Sequence, residues 1–399
     1  LTRRNGSAFA AIACIAIVGV GLSLAMALLA IRLAAAGFSS RAIGFNAAAG
    51  GLASLVGAPL APLLAARVGV RRALLLALAI GAASLAGFAA TSAYWAWFAL
   101  RIGFGFALTV LFVLSEYWIG TVTAPARRGL VIGIYATSLG LGFAAGPLLL
   151  AAVGAEGVTP FAVAIGLMGL AALPLLPARL DVPGLARHAR LPLLAVLKRA
   201  PAAATAGLVQ GALEVTALGL LPVYAVLGGA TPEAAARFLG LYAIGGVVLQ
   251  VPLGLLSDRM DRRRLLLCLA LAGLLCTALL PFAARLGPLA FGAGLVVWGG
   301  LVTGFYPVGL AHLAARFKDG DLARANAGFV MLYALGMLVG PPFAGLGMDA
   351  LPPNGFFLAV ALMLAAYAGL VAARMRKDAT PLAGNDENAT GTGPRRSRA

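Results

Sequence analysis

Residues 254–264 read GLLSDRMDRRR, a knot of charge between apolar runs from Phe238 to Leu256 and from Leu265 to Ala284. At about 1.5 Å per helical residue, either run is long enough to cross a hydrocarbon core of about 30 Å. Arg259, Arg262, Arg263 and Arg264 therefore belong in a short connection at one membrane face. A weaker echo, RVGVRR from Arg67 to Arg72, lies 192 positions earlier. Two copies of one connection predict two copies of a larger unit.

Composition supports the membrane reading. The 399 residues are 62% hydrophobic and 11% charged, against roughly 45–50% and about 25% in soluble domains. That excess exceeds what a soluble core can hide and predicts a polytopic, all-α membrane protein. The formal net charge of +17 would suggest nucleic acid in a soluble chain. Here the basic residues sit between apolar runs, so positive-inside placement accounts for them and no nucleic-acid partner is expected. Cys14, Cys268 and Cys276 fall inside apolar runs without metal or redox spacing and read as small hydrophobes. The run Phe9–Ile31 is too long for a signal-peptide core and more spans follow, so it reads as the first transmembrane helix.

Apolar runs of spanning length predict twelve helices, at 8–31, 43–66, 72–91, 95–119, 129–153, 159–177, 202–227, 236–257, 265–284, 288–315, 325–348 and 355–374. The expected domains are a bundle of six spans over 1–177, a cytoplasmic linker over 178–200, a second bundle over 201–375 and a polar, disordered tail over 376–399. With both termini cytoplasmic, the only basic residues placed elsewhere are Arg32, Arg41, Arg237 and Arg285 outside and Arg101 within the fourth span. The other 25 of the 30 then lie at the cytoplasmic face. Repetition recurs at an offset of 194, where Gly142, Gly146 and Pro147 fall on Gly336, Gly340 and Pro341. Six spans per half related as parallel repeats is an arrangement of secondary transporters.

These residues resemble the major facilitator superfamily over positions 5–375. Its loop motif GxxxDRxGRR is matched by Gly254, Asp258, Arg259, Arg262 and Arg263, with Asp261 in place of the inner glycine. In the first half Arg67, Gly69, Arg71 and Arg72 match in part, while Pro62 and Ala66 replace the motif's glycine and aspartate. Its GxxxGP motif is present as Gly142, Gly146 and Pro147 and again as Gly336, Gly340 and Pro341, and its arginine of the fourth span looks like Arg101 followed by Gly105. Glu116-Tyr117-Trp118, Gly211 to Tyr224 and Tyr306 to His312 are similar to the bacterial YcaD-like branch. The resemblance implies a twelve-helix fold of two pseudo-symmetric bundles in the cell inner membrane, acting by alternating access. The fifth-span motif leans towards proton-coupled export of small organic molecules. The alternative is a proton-coupled importer of a sugar, organic acid or amino acid. It implies a small-molecule substrate, protons and lipid as partners, a monomer, no cofactor and no enzyme activity.

The residues suggest where such work is done. Proline in a span favours a bend, and glycines four apart allow close helix approach. Ionisable groups at membrane depth are expensive and usually face a cavity or partner. Glu214 lies roughly 18 Å into the seventh span, near the midplane. Gln210, Glu214, Ala217, Leu221 and Tyr224 share one face, and Gln210, Glu214 and Tyr224 are expected to line a central cavity with Tyr306. Glu214 reads as a proton-coupling carboxylate, against a neutral acid bonded to a neighbouring helix or paired with Arg101. Arg101 attracts an anionic solute or tunes a carboxylate, against a structural arginine binding backbone carbonyls. Glu116 reads as a gate or structural ion pair near the Arg67–Arg72 connection. His312 reads as a helix-end anchor, and Trp298 and Phe104 as cavity or packing residues. Asp258, Arg259, Arg262, Arg263, Arg67 and Arg71 form a predicted cytoplasmic gate. Asp258 is expected to reach the start of the fifth span in an outward-facing state, because a carboxylate is favoured at a helix N-terminus. No HExxH, metal cluster, nucleophile–base spacing or ATP-binding GxxxxGK[ST] occurs in the sequence, which argues against a membrane enzyme or an ATP-driven pump. A non-transporting sensor would show no flux under any gradient.

Overall fold

The computed structural model describes residues 3–124, 127–177, 193–317 and 319–379. Most of the expected linker, 178–192, and the tail from 380 lie outside the described residues. Among the described residues all regular structure is helical. The first half holds α1 (Arg3–Ala35), α2 (Ser40–Val68), α3 (Val70–Ala90), α4 (Tyr94–Val122), α5 (Arg128–Val153) and α6 (Thr159–Ala172). A short α7 (Leu193–Arg199) precedes the second half. That half holds α8 (Pro201–Leu227), α9 (Pro232–Arg259), α10 (Arg262–Leu286), α11 (Pro288–Thr303), α12 (Phe305–Arg316), α13 (Asp319–Ala350) and α14 (Gly355–Ala379).

Eleven described helical segments are long and apolar enough to cross a membrane, and Thr159–Leu175 is a shorter apolar helix. The sixth expected span is thus clipped. Its α-helix stops at Ala172 and tightens into a 3-10 turn over Leu173–Leu175, where Pro174 supplies no backbone donor. The tenth expected span is divided at Gly304, which separates α11 from α12. A Cβ at Gly304 would lie 2.6 Å from a Leu253 methyl, so glycine lets α9 pass close to the break. Where the sequence suggested only a connecting break, α7 forms, and its Val196 is wholly buried with Ala200, Ala203 and Phe329.

The charged stretch 254–264 is mostly helix rather than loop. Helix α9 runs through Arg259, only Met260 and Asp261 stand between helices, and α10 starts at Arg262. Asp261 is the reason the chain turns there. Its Oδ1 accepts the amides of Arg263 at 2.9 Å and Arg264 at 3.1 Å, capping α10.

Within the first half α1 packs on α5 and α6, α2 on α4, and α3 on α4 and α6. In the second half α8 packs on α13, α9 on α11, and α10 on α14. The repeated Gly-x-x-x-Gly-Pro motifs sit at equivalent seams. A Cβ on Gly142 would come 2.6 Å from the Ala16 carbonyl of α1, and one on Gly340 would come 2.5 Å from the Ala212 carbonyl of α8. Backbones this close exclude any larger residue and give dense helix packing without a hydrophobic driving force.

The two halves meet along α2 against α13, α5 against α9, and α1 and α2 against α8. These contacts are uneven along the helices. At the end bearing Ser40 and Asp349, α2 and α13 interlock. A Cβ on Gly51 would lie 2.5 Å from the Leu338 amide, and one on Gly345 would lie 2.9 Å from the Arg41 Cα. Along α5 and α9, Gly240 meets the Leu148 side chain and Gly140 meets Val247. Nearer the end that carries Arg259–Arg264, a Cβ on Gly133 or Gly254 would meet nothing within 4 Å. The halves are joined closely at the Ser40–Asp349 end, and no comparable approach occurs at Gly133 or Gly254.

Candidate functional site: a carboxylate and tyrosine cavity between the halves

Between the spread helices lies a polar cluster built from both halves. Helix α8 supplies Glu214 and Gln210 four residues apart, one turn along the same face. Gln210 Nε2 donates to Glu214 Oε2 at 2.9 Å. The Tyr333 hydroxyl of α13 also donates to Glu214, and Tyr242 of α9 lies within the reach of its charge. Close seating of α8 on α13 explains the Tyr333 contact, because Gly211 presses on the Tyr333 carbonyl where a Cβ would clash.

The first half contributes Glu116 from α4 and Tyr135 from α5. The Tyr135 hydroxyl donates to Glu116 Oε1 at 3.2 Å. Tyr306 of α12 joins the two groups, within electrostatic range of both Glu116 and Glu214. Its ring meets that of Tyr333 edge-on at a centroid distance of 5.6 Å and that of Phe329 at 5.1 Å. Glu116 is exposed and Glu214 half-buried, while Tyr135 beside Glu116 is 6% exposed. Both acids therefore keep part of their surface free of packing, on the side where the two halves face each other.

Other sequence candidates lie elsewhere. Arg101 does not meet Glu214. It is 2% exposed between α1, α2 and α4, where its Nε donates to Asn46 Oδ1 at 3.1 Å and its Nη1 touches the Met26 sulfur. Its Nη2 and Asn46 Nδ2 have no hydrogen-bond partner among the described residues. Tyr224 belongs to an aromatic core with Phe291, Phe356 and Phe357, at centroid distances of 5.9, 5.9 and 4.8 Å. It sits ten residues beyond Glu214, roughly 15 Å along the helix. Trp298 is fully buried and donates to Thr277 at 2.9 Å, and Phe104 is 1% exposed. His312 is 8% exposed on α12.

Residues proposed for a gate frame the spread end. Asp258 is 76% exposed and ion-pairs with Arg262 at 3.9 Å, one turn onward. Arg263 lies 3.8 Å from Asp261. Arg71 donates to the Leu176 carbonyl rather than meeting Glu116. Arg67 and Arg259 are exposed. Asp261 holds its proton less tightly than an ordinary carboxyl. Slight burial pushes its pKa up, but the amides of Arg264 and Arg263 and the Arg263 charge outweigh it.

At the closed end an acid with no motif to announce it does the joining. Asp349, at the end of α13, accepts the Ser40 amide at 2.9 Å with one oxygen and the Arg41 amide at 3.1 Å with the other. It satisfies two of the unpaired donors at the start of α2, where the helix dipole favours negative charge. Tyr135, Tyr242, Tyr333 and Asp349 were missed as site residues from the sequence. Polarity at membrane depth, which marks Glu214, Gln210 and Arg101 in the sequence, marks these residues as well.

A sequence profile described as the Major Facilitator Superfamily matches residues 11–304 and again 229–397. The chain is similar to the uncharacterized MFS-type transporter YfkF of Bacillus subtilis, with 29% identity over 290 residues, covering 70% of this chain and 73% of that one. It is also similar to the uncharacterized MFS-type transporter YcaD of Escherichia coli, with 26% identity over 312 residues, covering 77% and 80%. Among solved structures it resembles the nucleoside transporter NupG (D323A mutant), with a TM-score of 0.76 and 15% identity, covering 95% of this chain and 100% of that one. It resembles a D-xylose-proton symporter with a TM-score of 0.69 and 16% identity, covering 91% and 96%. A bacterial homolog of the lysosomal transporter Spinster, solved in an inward-facing and unoccupied conformation, matches with a TM-score of 0.74 and 13% identity, covering 96% and 99%.

Proposed function

Because this chain belongs to the Major Facilitator Superfamily, a family of alternating-access transporters rather than enzymes, we propose that it imports a small polar metabolite together with protons. The observation that carries this reading is the cavity itself. Two carboxylates and a set of tyrosines, drawn from both halves, cluster between helices that Asp349 joins at one end. Hydrogen-bonding side chains of this kind recognise a polar solute, and a membrane-embedded carboxylate has to be neutralised before the cavity closes around it. Glu214 is the first such group, with Gln210, Tyr333 and Tyr306 beside it.

The positive-inside distribution supports placing the end with Arg259–Arg264 at the cytoplasm, which makes the conformation inward-facing. The repeated motifs and separate helix contacts support two bundles of six spans, divided by the 178–200 segment. Similarity to YcaD supports that branch. Asp258 and its arginines then act as the inner gate, released in this state. Import is favoured over export because D-xylose–proton symport by one protein of this fold, and nucleoside transport by another, are compatible with a cavity so rich in hydroxyls. Proton-coupled export remains the second reading, on the strength of Gly142, Gly146 and Pro147 in α5.

Reconstituted protein with an imposed pH gradient tests the assignment. Solute accumulating on the alkaline side supports import with protons, and solute moving towards the acid side reverses it in favour of exchange. Flux indifferent to the gradient rejects proton coupling.

A further inference from the structure

Among the described residues, no basic side chain is bonded to the acids of the cavity. Among the described residues, the side chains hydrogen-bonded to Glu214 are Gln210 and Tyr333, and the one hydrogen-bonded to Glu116 is Tyr135. Arg101, the buried cation of the first half, is committed to Asn46 and Met26. An open cavity hydrates these carboxylates, but a closed one would bury negative charge with nothing to offset it.

The hydrogen-bonding inventory around Glu214 is lopsided in the same sense. Gln210 is 2% exposed and spends its Nε2 on Glu214, which leaves its Oε1 without a donor. Tyr242, also 2% exposed and within reach of the Glu214 charge, has a hydroxyl with no partner. Buried polar atoms are seldom left so, and a ligand is one of the things that satisfies them. The carboxylate and the amide carbonyl around Glu214 are acceptors, and the Tyr242 hydroxyl can accept as well as donate.

We infer that the transported solute is a small organic amine whose ammonium N–H groups are received by Glu214, Gln210 Oε1 and Tyr242. This rests on the transport reading above and narrows its solute. A protonated primary amine brings three donors and one positive charge, matching both the orphaned acceptors and the unbalanced acid. A neutral polyol serves the acceptors and leaves the charge. A quaternary ammonium cancels the charge and leaves the acceptors. Tyr333 and Tyr306, edge to face at 5.6 Å, offer the aromatic surface that a cation favours. Glu116, on the opposite wall, deepens the negative potential and is the second acid available to a coupling proton.

Ligand-induced thermal stabilisation of the full chain in detergent provides the test. The probes are propylamine, ethanolamine, tetramethylammonium, xylose and uridine at one pH near neutrality. Propylamine and ethanolamine are expected to stabilise saturably, and the other three to be at least about tenfold weaker. Glu214→Gln should lower ethanolamine affinity at least about tenfold. Gln210→Leu should lower it by about tenfold to a hundredfold, the range of one hydrogen bond to a charged group. The exposed Glu156→Gln should leave it unchanged. Glu214→Asp, which keeps the charge, guards against a folding defect and should retain measurable binding. Stabilisation by xylose or uridine but not by the amines overturns the inference, as do equal affinity for tetramethylammonium, binding to none of the five, or full amine affinity in Glu214→Gln. Gradient-driven uptake of a neutral solute would overturn the amine while leaving the transport reading intact. Amine binding without gradient-dependent flux would do the reverse.

Discussion

The two ends of this protein are built from the same parts and behave differently. At each end an aspartate lies in the last turn of a helix in the second half. Asp349 ends α13 and receives two amides from the start of α2 in the other half. Asp258 ends α9 and meets only Arg262, one turn onward on its own side. The first contact crosses between halves and comes with interlocked backbones at Gly44, Gly51 and Gly345. The second is exposed and local, beside glycines that face open space. An aspartate near a helix terminus is therefore not a latch by composition. It becomes one where the partner helix presents free amides at hydrogen-bond distance and the backbones are small enough to meet.

The contrast can be broken by experiment, and the largest effect should come from covalent closure. With the native cysteines replaced, Ala47→Cys with Gly219→Cys should form a disulfide, because a Cβ on Gly219 would lie 3.2 Å from that of Ala47. Cross-linking is expected to abolish transport, and reduction to restore it. Gly133→Cys with Gly254→Cys should stay reduced in the same preparation. Rapid cross-linking of both pairs would show that the ends do not differ.

Next in size is Asp349→Asn. Losing a carboxylate that accepts two amides at a helix N-terminus should cost the closed end about 1–2 kcal/mol. A single cysteine at Val223, buried behind this seal, should then react roughly ten times faster with a water-soluble thiol reagent. An unchanged rate would remove Asp349 from the closure.

Asp261→Ala sharpens the other end, since it removes the α10 cap and should cost about 1 kcal/mol. The group's folded pKa is depressed, so its contribution is present above the unfolded value of about 3.9 and is lost as pH falls through the lower folded value. Thermal melts should show the wild type and Asp261→Ala converging only in that acidic range. The smallest effect belongs to Asp258→Asn. An exposed pair at 3.9 Å contributes at most about 0.5 kcal/mol, so the melting temperature of this conformation should barely move. A large drop would mean that Asp258 holds the open end together.

Much of the fold was legible because the bilayer imposes length and polarity on each span. The seams were legible too, since Gly142, Gly146, Gly336 and Gly340 recur at one offset and glycine in a span signals close approach. Cavity membership was less so. Glu214 and Gln210 were found because they share one helix and lie one turn apart. Arg101 was expected near Glu214, yet it bonds Asn46 on α2. Glu116 was expected near Arg67–Arg72, yet it bonds Tyr135. Tyr224 fits the same periodic face as Glu214 but lands in an aromatic core, because helical spacing says nothing about how far along the helix the cavity extends.

The sequence by itself determined that the chain lies in a membrane, that its halves repeat, and that a few polar residues lie at membrane depth. Those properties follow from local chemistry, since each span must bury its own backbone and expose apolar side chains. Only the tertiary structure decided which end is closed, which tyrosines reach which acid, and that the knot at 254–264 is two helices hinged at Asp261. Such facts depend on contacts between residues far apart in the chain, as Asp349 and Ser40 are, and on a balance between two ends that the same sequence can tip either way.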